Sequence, residues 1–316
     1  MRDEPLAQMQ ATFDAEGMLI LPGFFPAAII DAVLAVTEQV RRLRPADAVL
    51  DDLDTGERTV LALLSPEAAE SHWMKLYDLH LGVPHVKALA LTAELTALLS
   101  ALLGQEAVLC HSLYLPMGSA QSLHADTLYM TPRTPGHLIA AWVALEDVHP
   151  DAGPLLYMKG SHKLPRYRFS DGTHHEVDGE QMAWKAAAYG AAAAAGLRTE
   201  TFHARKGDVL IWAADLLHGG AEIRDRSLTR RSFVFHYFSA TDAEAGGSTL
   251  RGVEGGKWIQ RPPQPITPQA AARLPFNEQR YLARYADVAS AVAAGTFPDG
   301  HTHFMMFGLK EGRLPG

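Results

Sequence analysis

The sequence predicts an α+β fold: a β-sandwich or barrel-like core, helices packed around it, and a small helical module at its C-terminal end. Three observations carry this. Short runs rich in β-branched and aromatic residues, broken by Gly and Pro, recur between residues 107 and 238, the texture of a sandwich or barrel. Helical periodicity precedes them, with Ile29, Val33, Val36 and Val40 on one stripe. Helical texture returns after residue 275, beyond a segment crowded with Pro and Gly.

Taken in order, a short helical piece starts near residue 8. Residues 8–25 close with Met18 to Phe25, where the apolar run is short and ends at Pro22-Gly23, so it reads as a strand. Pro26 suits the first turn of the next helix, and Arg41, Arg42 and Arg44 close that helix where cations favour its dipole. Residues 45–72 are polar and yield no assignment. Their acidic trio Asp51, Asp52 and Asp54 lacks the remaining ligands of a calcium loop and reads as a solvated surface. One long helix is expected over 84–103, with Leu95, Leu98, Leu99 and Leu102 on one face and Gly104 beyond its end. Strands are expected at 108–116, 138–145, 155–158, 200–203, 208–213 and 231–238. The Ala-rich tract 183–196 reads as a surface helix. Residues 251–275, with Gly255-Gly256 and Pro262-Pro263, read as a linker between a domain over 1–250 and a module over 276–316.

Composition excludes several classes. The 316 residues are 47% apolar, enough for a sizeable core, and the net charge of −8 comes with both signs mixed. No basic run appears, so no nucleic-acid partner is expected. The single cysteine, Cys110, forms no internal disulfide and favours a reducing compartment; it reads as a small buried hydrophobe on a strand. Met1-Arg2-Asp3-Glu4-Pro5 lacks the apolar region of a leader. No apolar run approaches the ~18 residues of a membrane span. A soluble, cytoplasmic protein is expected.

The candidate chemistry sits in Leu123-His124-Ala125-Asp126-Thr127. In extended backbone, residues i and i+2 face the same way, so His124 and Asp126 can close on one ion. His218, far downstream before Gly219-Gly220, supplies a second imidazole. Two histidines and one carboxylate with open positions opposite make the ligand set of a non-haem Fe(II) oxygenase. A 2-oxo acid fills two of those positions and O2 the third. The distal carboxylate of 2-oxoglutarate then needs a guanidinium, which Arg230 or Arg231 offers. Neighbours in a strand face opposite sides, so only one of the two points inward. The remaining histidines read otherwise: His111 in the core or a pocket, His162 structural in its turn, His174 and His175 on the surface, His236 packed, and His301 and His303 outside the core without a carboxylate at ligand spacing.

Four blocks of sequence then carry a resemblance. They are LHADTLYM; AAWVALEDVHPDAGPLLYMKGSHK at 140–163; KGDVLIWAADLLHGG at 206–220; and RRSFVFHYFS at 230–239. With the opening from Glu16-Gly17 to Phe24, they resemble the phytanoyl-CoA dioxygenase family of Fe(II)/2-oxoglutarate oxygenases over residues 8–245. The resemblance implies a double-stranded β-helix, a jelly-roll of the cupin kind, as the core. It implies His124, Asp126 and His218 as iron ligands, Arg230 as the residue that holds the distal carboxylate, Trp142 as a wall of that pocket, and Tyr129 facing the active site. The family's usual offset lands on Thr229 here, and counting back from Tyr237 favours Arg230 over Arg231. The implied reaction is hydroxylation of an unactivated carbon of a small or carrier-linked substrate, with Fe(II), 2-oxoglutarate and O2 consumed or used and succinate and CO2 released. Asp126 stands where related halogenases have a small residue, which makes hydroxylation the default. Desaturation, ring formation or epimerisation would use the same site, and a catalytically silent binding protein would use the same scaffold. Residues 276–316 resemble a helical module of bacterial polysaccharide-associated proteins and are expected to dock a partner, a neighbouring subunit or the oxygenase itself.

Overall fold

The computed structural model describes residues 5–316; residues 1–4, on which part of the reading of a missing leader rests, lie outside the described residues. The strands are β1 (Met18–Leu21), β2 (Val49–Asp52), β3 (Arg58–Val60), β4 (Met74–Tyr77), β5 (Ala107–Leu115), β6 (Leu138–Ala144), β7 (Leu155–Tyr157), β8 (Glu200–Phe202), β9 (Val209–Ala213), β10 (His218–Gly220), β11 (Ser232–Ser239), β12 (Thr249–Val253) and β13 (Gly256–Gln260). The large sheet runs β1-β9-β6-β11-β5-β4-β2-β3, and β10-β7-β8 form a small one. All pairings are antiparallel except β13 against β5. Two facing sheets with helices on the outside make an α+β double-stranded β-helix, a cupin-like jelly roll.

Side-chain alternation decides which residues reach the interior. On β11, Phe233, Phe235 and Tyr237 join Ile139, Ala141 and Val143 of β6 and Val209 and Ile211 of β9 under the helices Ala27–Leu43, Pro84–Ala90 and Ala93–Leu103. The opposite parity, with Ala140, Trp142, Leu210, Trp212 and Val234, faces the small sheet. The cavity between the sheets is therefore lined by even-numbered positions of β6, β9 and β11.

Three readings of the sequence need correction. The helix expected over 84–103 is two helices, Pro84–Ala90 and Ala93–Leu103, bent by 47°. The break falls at Thr92, whose backbone is extended, and the Gly255 turn lies against it: Thr96 Oγ1 donates to Gly255 O at 2.5 Å. Part of the expected linker is consequently ordered, since β12 and β13 form a hairpin whose second strand joins β5. The acidic trio is not uniformly solvated. Asp51 is bound by Arg58 and Tyr77, and Asp52 accepts from the backbone N–H groups of Asp54 and Thr55.

The C-terminal helices bring Tyr281, Tyr285, Val288, Phe304 and Leu314 against Val49, Val60 and Tyr77, so this module shares a core with the sheet. No single helix among the described residues is long and apolar enough to cross a membrane.

Candidate metal centre

His124 and His218 are fixed to each other through their backbones. His124 N donates to His218 O at 2.9 Å, and His218 N donates to His124 O at 3.0 Å. Residues that exchange both bonds of an antiparallel pair present their side chains on one face, and the two rings stand 4.4 Å apart. A Cβ at Gly219 would lie 2.5 Å from Gln121 O, so the segment before His124 can approach only a glycine here. Ala125 is extended, with φ −112° and ψ 140°, which returns Asp126 to the side of His124 before the chain turns. Two further bonds brace the ligand segments. Thr127 Oγ1 donates to Asp215 Oδ1 at 2.9 Å, and Leu217 N donates to Ser161 Oγ at 2.8 Å. The Gly160-Ser161-His162 turn thus supports the residue next to His218.

The electrostatics suit a divalent ion. Nδ1 of His124 faces Ser122 O at 3.0 Å, and Nδ1 of His218 faces Leu216 O at 3.0 Å. A ring nitrogen against a carbonyl carries the proton, which leaves each Nε2 with a lone pair. Those Nε2 atoms lie 3.9 and 3.4 Å from Asp126 Oδ1. Oδ2 of the same carboxylate accepts from Trp212 Nε1 at 2.7 Å and has His236 Nε2 at 3.4 Å. One donor atom from each of His124, Asp126 and His218 falls within 4.8 Å of the others. Burial, then His218, pushes His124 down to about 3, so it is neutral at physiological pH. Burial opposes ionisation of Asp126, but His218 and His236 hold its carboxyl well below the usual range. His218 is raised, because Asp126 outweighs burial. Two imidazoles and one carboxylate on one face, with the other side open, are the donor set of a facial triad.

The triad borders an inner cavity of about 270 Å³ that also holds Arg230, Trp142 and Trp212. Arg230 is buried, its Nε has no hydrogen-bond partner, and no carboxylate pairs with it among the described residues. Burial pushes it down to about 10, so it stays charged at neutral pH. Its guanidinium lies 5.7 Å from the Trp142 ring. Arg231 turns to the opposite side, 3.4 Å from Glu146, in a separate surface cleft. Tyr129 is 43% exposed and sits at the rim, its ring 5.8 Å from that of His124.

Sequence reasoning missed three residues here. Trp212 and His236 touch Asp126, and Lys75 lines the cavity. His236 lies on β11 and shares the even parity of Arg230, two residues before that strand, a usable signal; it is packed, but against the site. Trp212 shares the parity of Leu210. Lys75 gave no signal, because β4 was not recognised. His111 is buried, with Nδ1 2.7 Å from Asp78 Oδ1 and its ring stacked on His236. His162 packs on Gly17. His175 is exposed, and His174 faces Tyr167 O at 2.7 Å. His303 faces the Tyr281 hydroxyl inside the C-terminal module.

Solved structures share this fold. The carbocyclase SnoK from nogalamycin biosynthesis superposes with a TM-score of 0.56 at 16% identity, covering 81% of this chain and 93% of that one. The epimerase SnoN of the same pathway gives 0.52 at 20%, covering 74% and 83%. EctD from S. alaskensis, crystallised with 2-oxoglutarate and 5-hydroxyectoine, gives 0.53 at 18%, covering 76% and 79%. At these identities the likeness shows the fold. No curated protein matches the sequence. The family model for phytanoyl-CoA dioxygenase (PhyH) matches residues 13–232, a span that takes in all three donors and Arg230, and the chain belongs to that family.

Proposed function

We propose that this chain is an Fe(II)- and 2-oxoglutarate-dependent oxygenase that hydroxylates an unactivated carbon of a small or carrier-linked organic substrate and releases succinate and CO2. One observation carries the reading: three convergent donors and an unpaired, buried Arg230 share one cavity. His124, Asp126 and His218 would hold the ion. Bound there, ferrous iron supplies O2 activation coupled to decarboxylation of the keto acid. Arg230 would take the distal carboxylate in a charge-assisted pair, with Trp142 as the wall beside it. Trp212 would orient Asp126, and Leu115, Leu155 and Val234 give the inner cavity an apolar wall. Tyr129 guards the mouth.

The test is succinate release from 2-oxoglutarate over a panel of candidate substrates. Release that requires Fe(II) and is lost in His124→Ala supports the reading. No iron-dependent release with any substrate moves the protein to the silent binding reading. The carbocyclase and epimerase with this fold support a second reading, in which the same site closes a ring, desaturates or inverts a centre; product analysis separates these from hydroxylation. A reducing cytoplasm suits ferrous iron and the buried Cys110 thiol. Residues 276–316 expose Met305, Met306 and Phe307, which supports docking of a protein partner or a second copy. Unchanged oligomeric state and partner binding on truncation at residue 270 would count against that role.

A further inference from the structure

Beside the inner cavity lies a larger one of about 650 Å³, within the range of small-molecule sites. The two meet at His124, Asp126, His236, Gln121, Leu113 and Lys75. Arg230 and Trp142 belong to the inner cavity alone. Arg58, Arg261 and Gln264 belong to the outer one alone, with Met130, Phe238 and Ile259 as apolar wall. The β12–β13 hairpin and the strap that follows it therefore build one side of this chamber.

Apart from Asp126, which faces the two histidines, its cations outnumber the carboxylates that hold them. Arg58 donates to Asp51 through Nε at 2.6 Å and Nη2 at 3.2 Å, and the Tyr77 hydroxyl donates to the same carboxylate at 2.6 Å. Lys75 Nζ stands 3.3 Å from Asp51 Oδ2 as a second cation on a carboxylate that already has three donors. Asp78 accepts from Arg261 Nη2 at 2.7 Å and from Ser112 N at 3.2 Å, and faces His111 Nδ1 at 2.7 Å. Arg58, Lys75 and Arg261 thus share Asp51 and Asp78; the third carboxylate at the chamber, Asp126, is engaged by Trp212 and the histidines, which leaves Lys75 facing the chamber. An ammonium beside a low-dielectric cavity is best satisfied by an oxygen anion from outside.

We infer that the outer chamber receives a substrate with an anionic head, a carboxylate or a phosphoryl group, held by Lys75 and Arg261, with an apolar body against Phe238 and Ile259 and its reacting carbon toward the three donors. This rests on the proposed oxygenase reading only for its last clause.

The probes are hexanoate, hexyl phosphate and hexanol, titrated calorimetrically into the full chain, both metal-free and loaded with Fe(II) and 2-oxoglutarate without oxygen. At least one anion binds about tenfold or more tighter than hexanol, and the tighter anion names the head group. Lys75→Met weakens that anion by about tenfold and leaves hexanol unchanged. Arg261→Met does the same. If loss of the Asp78 partner unfolds that variant, Lys75→Met still decides. Equal binding of hexanol and both anions, or anion binding indifferent to Lys75→Met, overturns the inference. Charge-dependent binding to metal-free protein without iron-dependent succinate release keeps the anion site and overturns the oxygenase reading. Succinate release with charge-blind binding does the reverse.

Discussion

The indole N–H of Trp212 donates to Oδ2 of Asp126 at 2.7 Å, and that bond leaves Oδ1 turned toward both histidine Nε2 atoms. A carboxylate that ligates a metal through one oxygen needs its other oxygen anchored, or it rotates.

Trp212→Phe keeps most of the buried volume and removes the donor. Affinity for Fe(II) is expected to fall by about tenfold to a hundredfold, measured by competition with a chelator, while the far-ultraviolet circular dichroism stays that of the parent. Unchanged affinity would mean that His236 alone positions Asp126.

Arg230 and Arg231 differ by face. Arg230→Ala is expected to raise the 2-oxoglutarate requirement by about tenfold or more, since it removes the unpaired guanidinium of the inner cavity. Arg231→Ala breaks a half-exposed pair with Glu146 and is expected to leave that requirement nearly unchanged. The measurement is KM for 2-oxoglutarate in the succinate assay, and the reverse order would place the cosubstrate elsewhere.

Acid should loosen the wall of the outer chamber. Burial would raise the Asp78 carboxyl, but His111 and Arg261 outweigh it and hold it well below its ordinary 3.8. A carboxyl lowered by folding contributes stability that is complete above its unfolded value and is lost as pH falls from there toward the folded one. The wild type is expected to lose stability below about pH 4. Asp78→Asn is expected to be less stable at pH 7 and to show a flatter profile in that acid window, read as urea midpoints. Parallel profiles would show that Asp78 adds no pH dependence.

Gly17 has φ +76°, and a Cβ there would run into the His162 ring. Gly17→Ala is expected to cost about 1–3 kcal/mol, read by urea unfolding. Gly17→Ala in a His162→Ala background is expected to cost less, because the collision is gone and only the backbone strain remains. Equal costs in the two backgrounds would separate this turn from the helix that opens the fold.

The legible parts of the sequence were those where local pattern and tertiary burial agree. Alternation with β-branched and aromatic residues marked the central strands, and β5 and β11 fell within one residue of their expected ends. The donors were legible because His124 and Asp126 are close in sequence and lie in a family block. What was missed depends on long-range pairing. Strands β2, β3 and β4 are short, and they become strands by adding outward from β5, with β4 on β5, β2 on β4 and β3 on β2. Gly255 and Gly256 read as a linker, yet they allow a hairpin turn against Leu91 and Thr96. The dipole partner of Asp126 sits 86 residues away, where only strand parity pointed inward.

Strand β13 reaches β5 from near the end of the chain and carries Arg261 just beyond it. Synthesis therefore delivers the donors and Arg230 before the partition that chooses what meets them. Clipping after residue 248 would remove that wall together with the helices that share a core with Val49, Val60 and Tyr77. The late hairpin makes the shape of the outer chamber conditional on an intact polypeptide, so proteolytic trimming there is expected to alter what the chamber binds while the three donors stay in the remaining chain.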